Sequence, residues 1–76
     1  MINNINMIKV SSSNVYSVGY SYLDQNVLVE FLDGSQYVYH TVPEKEFLAL
    51  VNAPSVGKYL DQNYKKGNCY KYSKVR

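Results

Sequence analysis

A chain of 76 residues, 46% hydrophobic and 18% charged, has room for one domain with a small core and is too apolar to be disordered throughout. One cysteine and one histidine exclude an intramolecular disulfide and a cysteine-based metal cage, and they fit a reducing, cytoplasmic setting. No apolar run approaches the roughly 20 residues that cross a bilayer, so no membrane partner is expected.

The Asn-rich start is read as a flexible arm over residues 1–8, ahead of a single domain over 9–76, with "MIKV" (7–10) a candidate extension of the first strand. "VYSVGYSY" (15–22) alternates as a strand does, with Val18, Tyr20 and Tyr22 sharing a face with Tyr16, and Gly19 inside it suggests a bulge or a close backbone approach. "VLVEFL" (27–32) sets Val27, Val29 and Phe31 on one side and Leu28, Glu30 and Leu32 on the other. Asp33-Gly34 is a strong hairpin signal, and "SQYVYHTV" (35–42) returns antiparallel. A two-residue turn would pair Glu30 with Tyr37 and Leu28 with Tyr39. The all-apolar face then takes the helices, Val38 and His40 join it, and Tyr37 and Tyr39 stand outside.

Pro43 opens a helix in which Phe47, Leu50 and Val51 form an apolar stripe. Thr41 and Glu44 have capping-box spacing, which offers a second start. Ser55 caps a further short helix with Val56, Tyr59, Leu60 and Asn63 on one side. Gly67-Asn68 reads as a turn, and 69–72 as a short last strand. The expected fold is α+β: a three-stranded antiparallel meander packed by two short C-terminal helices.

Nothing in this pattern specifies catalysis. His40 has no second histidine for a zinc site or a base dyad, Cys69 and His40 have nothing that fixes them together, and the glycines stand singly rather than as a phosphate-cradling loop. No enzyme activity, cofactor or metal is expected. The charge is uneven: residues 23–52 carry −4, and residues 53–76 carry +5 through Lys58, Lys65, Lys66, Lys71, Lys74 and Arg76 against Asp61. Exposed sheet aromatics can stack bases while lysines grip phosphates. On that basis Tyr37 and Tyr39 are the candidate stacking residues, and Lys58, Lys65, Lys66 and Lys71 the candidate phosphate contacts. The plain alternative is cross-strand tyrosine pairs with their phenol tips in water and a solvated basic end.

Taken together, "SSSNVYSVGYS", "LVEFLDGSQYVYHTVPEKEF" and "LVNAPSVGKYLDQNYKKGNCYKYSKV" resemble the KTSC domain, a family named for its place at the C-terminus of some lysyl-tRNA synthetases. The features that carry the likeness are the serines before strand one, Gly19-Tyr20, the central Tyr37-Val38-Tyr39, Val42-Pro43, and Ala53 followed by Ser55 and Gly57. Pro54 departs from the small or polar residue usual there. The resemblance implies an α+β fold, a small bacterial or phage protein, and RNA as a suggested partner. The expected function is therefore a small non-catalytic module that binds RNA or single-stranded nucleic acid. The alternative is a protein-interaction module that docks on a host protein or sequesters a nucleotide ligand. A homodimer through an uncovered strand edge is a third expectation.

Overall fold

In the computed structural model, residues 6–65 and 70–76 are described. The fold is α+β, with five antiparallel strands in the order β1-β2-β3-β4-β5 and two short helices. The strands are β1 (Met7–Lys9), β2 (Val15–Ser21), β3 (Asn26–Phe31), β4 (Gln36–Tyr39) and β5 (Tyr72–Lys74). The expected meander is the middle of this sheet, and a short strand flanks it on each side. Residues 7 and 8, which the sequence offers either to the arm or to an extension of the first strand, are in the sheet: Met7 pairs with Gly19 and Ile8 with Val18. The segment is thus a separate strand antiparallel to β2 rather than an extension of it. The last strand starts at Tyr72 rather than Cys69. Cys69 and the Gly67-Asn68 turn lie outside the described residues.

The irregularity in β2 falls at Tyr16, between Val15 and Ser17, and not at Gly19. A bulge spends one residue without advancing the pairing. Val15 therefore joins Val18 and Tyr20 on the core face, while Ser17 turns to the other side beside Glu30.

Helix α1 (Glu44–Val51) begins after Pro43, whose carbonyl accepts from the Glu46 and Phe47 amides, and no side chain caps it. The start at Thr41 is not used. Thr41 has φ 58° and sits in a left-handed bend, where a β-branched residue is rare. Helix α2 (Val56–Leu60) is capped by Ser55, whose side chain accepts from the Lys58 amide, and it runs into a π-helical turn over Asp61–Lys65. That continuation extends the apolar stripe by one turn: Val56, Leu60 and Tyr64 are all buried. Together with Phe47 and Leu50 they cover Val15, Val18, Tyr20, Val27, Val29 and Tyr39 in one core. Burying each large aliphatic side chain contributes about 1.5–3 kcal/mol. None of the described helices is long and apolar enough to cross a membrane.

Candidate functional site

The face carrying Tyr37 and Tyr39 is the reverse of the expected one, and the turn between β3 and β4 is the cause. The Gly34 amide donates to Phe31 O (3.0 Å), the Phe31 amide donates to Ser35 O (2.9 Å), and Gly34 takes φ 91°. This is a three-residue loop, a type I turn closed by a left-handed glycine. Its length pairs Val29 with Tyr37 and Val27 with Tyr39, one residue away from the two-residue alternative. A slip of one residue moves every side chain to the opposite face. Tyr37 and Tyr39 thus lie on the helix side with Val27, Val29 and Phe31. Val38 and His40 lie on the other side, where His40 Nε2 is 3.1 Å from Ser73 Oγ.

Tyr39 is only 2% exposed. Its ring meets Tyr64 edge-on at 5.4 Å and Tyr72 at 5.7 Å, and burial pushes its phenol up to about 12. It is a core residue and not the exposed stacking platform expected of it. Tyr37 is half-buried, with Phe31 edge-on at 5.7 Å and Tyr72 at 5.8 Å.

Beyond the helices the same face opens into a cleft of about 780 Å³. Phe31, Tyr37, Tyr39 and Tyr72 line it, together with the loop residues Leu32, Asp33 and Ser35, and neither helix contributes to its wall. Ser13 and Asn14 close the remaining side. The Leu32 amide donates to Asn14 O (2.9 Å), and Ser12 Oγ accepts from the Asn14 and Val15 amides, so the segment before β2 is tied to the cleft loop. Asp33 Oδ1 accepts from the Ser35 amide (2.9 Å) and the Ser35 hydroxyl (2.6 Å). The hydroxyl bond above all, then the amide bond, with a smaller effect from the Lys74 charge, holds this carboxyl below its usual range. The cleft therefore carries an ionised acceptor in its loop, aromatic rings along its floor, and a lysine of β5 beside it.

Tyr72 and Lys74 of β5 pair with Tyr39 and Tyr37 respectively and so lie on the cleft face. Neither was among the expected site residues, although the alternation in "YKYSK" carried the signal. Of the expected lysines, Lys58 is exposed on α2, and Lys71 is exposed just before β5, its carbonyl accepting from the His40 amide (2.8 Å). Neither lines the cleft. Lys65 closes the π-helical turn, and Lys66 lies outside the described residues. Among the described residues, no three His, Cys, Asp or Glu side chains gather as metal ligands would.

Comparison with known proteins places these features in a wider set. The family model of the KTSC domain matches residues 11–66, which takes in β2, β3, β4 and both helices and leaves β1 and β5 outside. A protein from Stutzerimonas stutzeri (strain A1501), described only as uncharacterized, is 34% identical over 68 residues, covering 90% of this chain and 94% of its own. The crystal structure of a KTSC domain protein from Yersinia pestis superposes with a TM-score of 0.82 at 29% identity, covering 95% of this chain and 99% of that one.

Proposed function

The chain belongs to the KTSC domain family, and on that footing we propose that it is a small, non-catalytic nucleic-acid-binding module with RNA as its preferred partner. The observation that carries this is the open cleft floored by Phe31, Tyr37 and Tyr72. Its volume falls in the range of small-ligand sites, and a base slid onto the Tyr37–Tyr72 pair would gain stacking of about 1–3 kcal/mol. Phosphates of the flanking nucleotides would follow the exposed edge strand, where Lys71, Lys74 and Arg76 succeed one another, with Lys58, Lys65 and Lys66 as further cations. Tyr39 supports the floor from beneath rather than stacking itself.

A salt titration of anisotropy with labelled single-stranded RNA tests the proposal. Three or four phosphate contacts predict a log–log slope of about −2 to −3, and removing Lys74 should reduce it by about 0.7. Absence of binding at low salt would sink it. A second reading, a protein-docking module, is favoured by Leu23, which is 93% exposed beside exposed Tyr22. Stoichiometric capture of a partner protein from nuclease-treated lysate, lost on Leu23→Ser, would favour that one instead.

A further inference from the structure

We infer that the cleft selects among bases, preferring one that offers an exocyclic amine over uracil, with Asp33 as the group that reads it. This rests on the nucleic-acid reading above and deepens it. Among the described residues lining the cleft, Asp33 is the one acidic residue. Both donors that Ser35 offers, its amide and its hydroxyl, fall on Oδ1. Oδ2 receives neither of these two bonds. An ionised carboxylate only accepts. A base lying on Tyr37 and Tyr72 with its edge toward the 32–35 loop would therefore meet an acceptor. The 4-amino group of cytosine donates to such an oxygen, and carboxylates pair with it in this way. Uracil presents a carbonyl at the same position, and two acceptors repel. Lys74, close enough to bias the Asp33 carboxyl, offsets the charge that phosphates would otherwise feel.

Cytosine and uracil are the decisive pair, because the rings are equal in size and differ in what position 4 offers. Short oligocytidylate and oligouridylate RNAs, compared by anisotropy at low salt, should bind the wild-type protein with a preference for cytosine of roughly tenfold. Asp33→Asn should reverse that order. Both Ser35 donors point at Oδ1, so the amide oxygen stays inward and the amide nitrogen faces the cleft as a donor, suited to the uracil carbonyl. Equal wild-type affinity for the two oligomers would overturn the selectivity and leave the nucleic-acid reading standing. A cytosine preference that survives Asp33→Asn in a protein of unchanged melting temperature would remove Asp33 from the role. Binding of neither oligomer would overturn both inferences together.

Discussion

Two sets of tyrosines are held in opposite ways. Under the helices, Tyr20 donates its hydroxyl to Val42 O (2.5 Å), Tyr59 to Glu46 Oε1 (2.7 Å) and Tyr64 to Glu46 O (3.2 Å). In the cleft, Tyr37 and Tyr72 touch other rings, and neither hydroxyl makes a hydrogen bond within the described chain. A buried hydroxyl must find a partner or lose the bonds that water gave it. One at an open wall keeps its water, or keeps its capacity for a ligand. Residue type alone therefore separates nothing here, and the state of the hydroxyl separates structural tyrosines from available ones. Tyr39 joins the covered set through its ring, closed in by Tyr64 on one side and Tyr72 on the other.

The largest effect should come from the covered set. Tyr64→Ala or Tyr39→Ala removes a wholly buried ring and should cost about 3–5 kcal/mol in chemical denaturation. Tyr64→Phe, which deletes only the bond to Glu46 O, should cost about 1 kcal/mol. If either alanine variant melted with the wild type, the division between the sets would be wrong.

The same set predicts the response to alkali. Tyr39 is raised to about 12 by burial, and Tyr59 to about 12 chiefly by its hydrogen bond to the Glu46 carboxylate, against 10.0 for the free side chain. The folded state thus holds protons that the unfolded state releases. Their contribution to stability is full below pH 10 and is lost as pH rises toward 12. A melting temperature that is flat up to about pH 10 and then falls is the expected curve. Tyrosinate absorbance should show Tyr39 and Tyr59 titrating late, and Tyr59→Phe should soften the fall.

In the open set, Tyr72 is 58% exposed on an edge strand. Tyr72→Ala should change stability by no more than about 0.5 kcal/mol, while RNA affinity should drop by about 1–3 kcal/mol. A variant that melted early and bound weakly only in proportion would place Tyr72 with the structural rings.

Much of this was legible in the sequence. The β2–β3–β4 meander, the Phe47–Leu50 stripe and the Ser55 cap follow from periodicity and turn chemistry. The face of Tyr37 and Tyr39 did not, because Asp33-Gly34 suits a two-residue and a three-residue loop equally: both place a glycine at positive φ. The longer loop is held by two hydrogen bonds from Ser35 to the Asp33 carboxylate, a local interaction that periodicity does not register. Tyr64 was hidden for another reason. A π-helical turn carries the helix one turn past the last residue of α2, into a stretch whose lysines and glycine look like a tail. The cleft depends on β5 returning beside β4, a long-range pairing: the alternation in "YKYSK" marks a strand without saying which strand it joins.

The seam between the two regions offers the last and smallest test. Gly57 lies in the first turn of α2, and a Cβ there would run into Asn14 Oδ1 and approach Ser12 Oγ to 3.1 Å. Asn14 is at once a cleft residue and the group this helix packs against. Its Oδ1 accepts from Ser12 Oγ (3.1 Å), so the side chain cannot swing away without giving up that bond. Gly57→Ala should then cost about 1 kcal/mol, the scale of one hydrogen bond. Asn14→Ala would remove the obstacle along with the bond. The double variant should accordingly be no less stable than Asn14→Ala alone, a departure from additivity that contacting residues show. Fully additive losses in urea melts would mean that Gly57 is required for some reason other than room for Asn14. A Gly57→Ala protein that lost RNA affinity beyond its loss of stability would show that helix packing is transmitted to the cleft wall through Asn14.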